Sequence, residues 1–365
     1  MAIDPAASPM LRTVTEHPTD YWNDSCAAAE LEWAIARGAT GATTNPTIVG
    51  EVVKKEWATW SKRIVDVRRE RPAATDEEIT WQVIEEMAIR GWKLLDPVFE
   101  QTSGRKGRLS IQTNPTFHVS AERMVAQARH FHTLARNVQV KLPATAAGIA
   151  AIEEVTYAGV SINATVSFTV AQAIAVAEAV ERGLRRREAE GRETASMTPV
   201  CTLMIGRTDD WVKAACGRDD IVVDPAAMDW AGIAVFKHAC AIYRERGYRT
   251  RPLAAAYRHH LHWSELIGGD VVLTIPYACA RRFDASAVEV RARFHDPVPQ
   301  RHVDELLRHV PEFVKAYAPD GLAVADFDTY GATVRTLRAF ISSYWDLVRT
   351  VDELLLPNPD VQAKG

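Results

Sequence analysis

Along most of the chain, short apolar runs bounded by turn residues alternate with longer stretches in which apolar residues recur every three to four positions. That is the pattern of strands followed by helices. The run Val138, Gln139, Val140 is cut off by Pro143, and Ile149, Ile152 and Val155 then repeat at helical spacing. A buried strand leading into a helix is expected there, with Lys141 at the strand's carboxyl end. Similar strand signals fall at about 20–24, at a short segment ending in Thr43-Thr44-Asn45-Pro46, and at 108–113, 161–165, 197–203, 252–257 and 270–275. Helical patterns occupy 48–69, 77–99, 121–134, 170–188, 211–215, 231–246, 303–317 and 330–355. Thr75 or Asp76 suits the N-cap of the second helix, and Gly247 should stop the one before it.

Eight strands with helical connections predict an α/β fold, a (β/α)8 TIM barrel over about residues 20–285. Two successive helices over 48–99 exceed the minimal link between neighbouring strands and read as a helical insertion on the barrel flank. The patterns within about 300–356 read as additional C-terminal helices that pack on the barrel and close over its mouth, making 1–365 a single domain. A doubly wound open sheet is the alternative, but no GxGxxG follows a strand to support it.

Composition narrows the class. At 47% hydrophobic, 25% charged and a net charge of -4, the chain calls for neither nucleic acid nor an anionic membrane as partner. No stretch approaches the length of uninterrupted apolar residues that a spanning helix needs. The segment 1–19 has no basic region leading into an apolar one, so a cytoplasmic protein is expected. Cys26, Cys201, Cys216, Cys240 and Cys279 are odd in number and form no CxxC pair, which fits reduced, mostly buried thiols. The histidines cluster at 130–132 and 259–262 without HExxH or Cys/His ligand spacing, so no metal is expected.

Candidate chemistry gathers at the carboxyl ends of the strands, where barrels of this type keep their active sites. Those ends carry Asp24, Asn45, Gln112, Lys141, Asn163 with Thr165, Thr202 and Arg258, while Arg207 lies in the loop after the sixth strand. A lysine held among apolar strand residues has its charged form disfavoured, the condition an amine needs to attack a carbonyl near neutral pH. Each neighbour has a plainer reading. Asp24 suits an N-cap, Asn45 before Pro46 suits a turn, Gln112 could be a strand amide, and Thr165 and Thr202 suit strands. Two arginines after adjacent strands nonetheless make a good clamp for a phosphate.

Six stretches carry a family resemblance. Asp20-Tyr21-Trp22-Asn23-Asp24-Ser25, Gly41-Ala42-Thr43-Thr44-Asn45-Pro46-Thr47, Val140-Lys141-Leu142-Pro143-Ala144-Thr145, Ile162-Asn163-Ala164-Thr165, Ile205-Gly206-Arg207-Thr208-Asp209-Asp210-Trp211 and Ala254-Ala255-Ala256-Tyr257-Arg258 follow one another as in the transaldolases. The resemblance implies a metal- and cofactor-free class I mechanism on sugar phosphates, in which Lys141 forms a Schiff base with a ketose. Asp24 would be the acid/base that takes the C4 hydroxyl proton. Asn45, Asn163 and Thr202 would contact the donor, Thr165 would position the catalytic water, and Arg207 with Arg258 would bind the phosphate. The oligomeric state stays open, a homodimer included.

Two positions depart from the family pattern. Gln112 stands where typical transaldolases carry a glutamate that works with the carbinolamine water, and where the fructose-6-phosphate aldolase branch carries glutamine. Met204 stands where transaldolases usually carry phenylalanine. Transfer of a dihydroxyacetone unit to an aldose phosphate is the leading expectation. A retro-aldol lyase that releases dihydroxyacetone and a catalytically silent sugar-phosphate-binding protein are the alternatives.

Overall fold

Each of the eight expected strands forms, and they pair side by side in chain order until the last meets the first. They are β1 (Asp20–Asn23), β2 (Ala39–Thr43), β3 (Arg108–Gln112), β4 (Val138–Pro143), β5 (Ile162–Ser167), β6 (Val200–Leu203), β7 (Arg251–Ala254) and β8 (Val272–Ile275). All eight pairings are parallel, so the sheet is a closed (β/α)8 barrel. This computed structural model describes residues 8–360; the stretch before Ser8 and the outer limits of the 1–365 range lie outside the described residues. Among the described residues no helix is long and apolar enough to cross a membrane, and the five cysteines are free and buried.

Side chains alternate across a strand, so residues two apart share a face. Trp22, Val200, Leu253 and Val272 form a small apolar cluster separate from the main core. Two positions on from three of them stand Asp24, Thr202 and Thr274. The cluster thus forms an apolar floor, and the polar strand ends rise from it. At the opposite rim, buried Asp20 pairs with Lys106 at 2.6 Å and with Arg251, tying β1 to its surroundings.

In chain order the helices are α1 (Pro9–Thr15), α2 (Ala28–Ile35), α3 (Pro46–Lys55), α4 (Trp57–Glu70), α5 (Asp76–Gln101), α6 (Ala121–His132), α7 (Ala146–Tyr157) and α8 (Val170–Ala189). They continue with α9 (Ile205–Arg218), α10 (Pro225–Arg246), α11 (Leu261–Ser264), α12 (Tyr277–Asp284), α13 (Gln300–His309), α14 (Pro311–Tyr317) and α15 (Gly331–Leu355). The pattern over 48–69 divides into α3 and α4 at Glu56, whose non-helical backbone (ψ 34°) is held by Trp60 and Arg90 on its carboxylate. The pattern over 303–317 divides at Pro311, which cannot continue a helix through its missing N–H. Strand β6 starts at Val200, three residues later than expected, because Pro199 has no N–H to give the ladder. Strand β7 stops at Ala254 because Ala256 sits at φ 67°. Helix α5 begins with a capping box in which Thr75 accepts from the Glu78 N–H and Glu78 accepts from the Thr75 N–H. Gly247 ends α10 in the left-handed conformation, as expected.

The inserted helices and the last helix hold each other. Thr47 donates to Ser343 at 2.9 Å, Trp81 Nε1 donates to Tyr344 Oη at 3.2 Å, and Tyr344 donates to Glu77 at 3.0 Å. Ahead of α15, Asp328 accepts from the Ala146 N–H at 2.9 Å, which pins the lead-in segment on the start of α7, just past the lysine strand.

Candidate active site at the carboxyl ends of the strands

Strand register places three of the expected residues in one row. Gln112 on β3 pairs with Lys141 on β4, and Lys141 with Asn163 on β5. All three are buried. Asp24, the residue after β1, continues the ladder by donating its N–H to the Ile275 carbonyl at 3.0 Å. Burial pushes the Lys141 amine below its usual range, with Arg207 adding to the effect and Asp24 opposing it. Desolvation raises the Asp24 carboxyl, while Lys141, the Thr43 hydroxyl and Arg207 pull it down. Asp24 retains some exposed surface, so its desolvation comes from the walls around it. Amine and acid are therefore each driven toward neutrality by the site and toward charge by the other.

Around this pair the amides and hydroxyls are held to different degrees. Asn163 gives one amide hydrogen to Ser110 at 3.0 Å and accepts from Thr202 at 2.7 Å, which fixes its orientation. Gln112 Oε1 and Thr165 Oγ1 are buried without a protein partner. Buried polar groups of that kind are costly unless something polar meets them. Thr165 precedes Val166, which holds φ 54° at a register shift in β5. A β-branched residue there costs about 1–3 kcal/mol and is the kind of local strain found at sites that need a side chain re-aimed. Asn45, expected in its plainer reading as a turn residue, is instead a helix N-cap: its Oδ1 caps α3 by accepting from the Ile48 N–H at 3.1 Å, leaving the amide hydrogens for another partner.

The arginines stand at the mouth. Arg207, in the first turn of α9, lies over the Phe340 ring of α15 at 5.4 Å. Desolvation lowers its pKa, and Arg258 and Arg335 are further cations that do so. Arg258 is exposed and grips Asp210 through Nε and Nη2, the latter at 2.6 Å. Arg335 of α15 reaches the Asp210 carbonyl at 3.5 Å. Three cations thus share one small region. Arg335 carries no local sequence signal, because only the return of α15 across the mouth brings it there. Arg207 thus lies in a helix and not in the expected loop, and the approach of α9 to the Arg258 segment depends on Gly206: a Cβ there would lie 1.8 Å from the Ala256 carbonyl oxygen.

A cavity of about 920 Å³ lies elsewhere, against α10 and residues 294–300, lined by Lys237, Tyr243, Tyr248 and Thr250 among others. It includes none of the strand-end candidates, and its size carries less weight than the convergence of an amine, an acid and three cations. Such a constellation suits covalent chemistry on a carbonyl compound that bears an anionic group.

Comparison with known proteins agrees with that chemistry. The family described as transaldolase/fructose-6-phosphate aldolase matches residues 21–316. A transaldolase of Neisseria gonorrhoeae is 28% identical over 291 residues, covering 73% of this chain and 82% of its own. One from Thiobacillus denitrificans is 29% identical over 303 residues, covering 76% and 81%. Transaldolase 1 of Streptomyces avermitilis is 29% identical over 294 residues, covering 73% and 77%.

Proposed function

The chain belongs to the transaldolase/fructose-6-phosphate aldolase family, and from that premise we propose that it moves a dihydroxyacetone unit from a ketose phosphate to an aldose phosphate through a Schiff base on Lys141. The observation that carries the reading is the buried Lys141 amine, held below its usual pKa and electrostatically coupled to Asp24.

The neutral Lys141 amine adds to the ketose C2 carbonyl, and loss of water gives the iminium. Asp24 as carboxylate takes the C4 hydroxyl proton, and the C3–C4 bond breaks with its electrons drawn into the iminium to form an enamine. The departing aldehyde leaves, an acceptor aldehyde enters, and the same steps run backward. Asn163, fixed by Ser110 and Thr202, and the amide of Asn45 hold donor hydroxyls. Gln112 and Thr165 have spare hydrogen-bonding capacity for the water that forms and breaks the carbinolamine. Arg207 and Arg258 take the phosphate, with Arg335 as a third cation beside them.

Borohydride reduction in the presence of fructose 6-phosphate tests the assignment. Mass spectrometry should find the adduct on Lys141 and none in Lys141→Ala; an adduct on another residue overturns it.

Gln112 favours a second reading, release of free dihydroxyacetone, because an amide can orient the water but cannot accept its proton. Product analysis with and without erythrose 4-phosphate separates the two. A transaldolase turns over little without acceptor, whereas a lyase is indifferent to it.

A further inference from the structure

One buried ionisable cluster plays no part in the chemistry above. Asp209 and His262 are both fully buried, and His262 Nε2 stands 2.7 Å from Asp209 Oδ2. The other carboxylate oxygen, Oδ1, accepts from the Gly232 N–H at 2.7 Å. On the far side of the ring, His262 Nδ1 lies 3.1 Å from the Arg258 main-chain nitrogen. A peptide N–H can only donate, so Nδ1 must be the unprotonated nitrogen and Nε2 the protonated one. The His259 ring lies against His262, tilted by 42° with centroids 3.9 Å apart, and its Nε2 is 3.5 Å from the same Asp209 oxygen.

By spacing alone Asp209, His259 and His262 could serve as ligands for a divalent cation. The hydrogen bonding argues otherwise. An imidazole that binds a metal through one nitrogen donates an N–H from the other, and in His262 the other nitrogen already faces a donor.

We propose that Asp209 and His262 are positioning residues for Arg258: the carboxylate fixes one tautomer of His262, whose Nδ1 then holds the Arg258 main chain and sets its guanidinium at the mouth. This rests on reading Arg258 as a phosphate-binding residue. The arrangement has a sharp chemical requirement. Asp209 must accept twice, once from Gly232 and once from His262. An asparagine amide can accept on only one side. If its oxygen stays with Gly232, its NH2 faces Nε2 and drives the proton to Nδ1, where it confronts the Arg258 N–H. A tautomer is set by the hydrogen bond that the other ring nitrogen makes. Neighbouring Asp210 pairs with the same arginine's guanidinium, so two consecutive carboxylates govern one residue, the first through its backbone and the second through its side chain.

The test compares KM and kcat for fructose 6-phosphate and for unphosphorylated fructose. Asp209→Asn and His262→Gln should each raise KM for the phosphorylated donor about tenfold, the equivalent of one lost hydrogen bond of about 1.4 kcal/mol, with kcat within about threefold and KM for fructose unmoved. His262→Asn, whose Oδ1 can stand in for Nδ1, should recover most of the loss. Arg258→Ala should raise the same KM. If it does not, the phosphate-binding reading of Arg258 falls and takes this proposal with it. If Arg258→Ala raises KM while Asp209→Asn and His262→Gln leave it unchanged, or lower kcat for both sugars alike, the positioning role alone is overturned. Nitrogen-15 spectra of the histidine-labelled wild-type protein give a check that needs no variant: His262 should show a bare Nδ1 and a protonated Nε2, and the reverse tautomer sinks the idea.

Discussion

Thr43 donates its hydroxyl to the Asp24 carboxylate at 2.6 Å, and the same oxygen stands 2.6 Å from Thr274 Oγ1. The bond favours the ionised acid and is one of the effects that hold the Asp24 pKa down against burial. Thr43→Val keeps the shape and removes the bond, so the Asp24 pKa should rise. Because Asp24 must be ionised to take the C4 proton, the acid limb of the kcat profile should move to higher pH, with activity near that of the wild type on the alkaline side. Initial rates across pH measure this, and an unmoved limb counts against Asp24 as the base.

Asp24→Asn should separate the two halves of the reaction. Cleavage should fall by about 10²–10⁴, the usual contribution of a positioned acid/base. Loss of the carboxylate also removes an influence that raises the Lys141 pKa, so the amine should stay neutral to lower pH than in the wild type. Borohydride trapping at mildly acid pH should then be more complete in the variant despite its poor turnover.

Gln112→Glu places a carboxylate beside Lys141, its register partner. A group that can accept the water's proton should speed Schiff-base formation and hydrolysis, and turnover should rise by up to about 10², the low end for a positioned base. The added negative charge should also raise the Lys141 pKa and move trapping to higher pH. Quantified products with and without acceptor provide the measurement.

Gly206→Ala should weaken substrate binding from a distance. Its Cβ would lie 1.8 Å from the Ala256 oxygen and 2.9 Å from the Arg258 side chain, so α9 or the Arg258 segment must retreat. Overpacking of this kind costs about 1–3 kcal/mol of stability, and a displacement near 1 Å can cost about a hundredfold in function. Urea unfolding together with KM for a phosphorylated ketose checks both parts.

The barrel was legible because its strands are apolar, short and bounded by prolines and glycines, and Val138 to Pro143 forms a strand over the expected residues. Boundaries were missed where one backbone fact outweighs a run of apolar side chains. Ala256 at φ 67° ends β7 early, and Glu56 breaks a helix that periodicity alone would carry through. Lys141, Gln112 and Asn163 could be brought to one row from sequence because parallel register follows from strand ends. The partners of the arginines could not. Whether Asp209 or Asp210 meets Arg258, and that His262 meets Asp209, depends on the rotation of α9 against a segment some fifty positions further along the chain. Arg335 was invisible for the same reason, since a single exposed arginine on an amphipathic helix has many ordinary uses.

The clasp between the inserted helices and α15 bears on the order in which the molecule is made. Synthesis delivers β8 and so the complete sheet by Ile275, yet Phe340, Arg335 and the Tyr344 anchor emerge more than fifty residues later. Domains fold as the ribosome releases them. A nascent barrel can therefore close while Trp81, Thr47 and the mouth still wait for their cover, and a chain that loses its last helix would retain its amine and acid beneath an unroofed entrance.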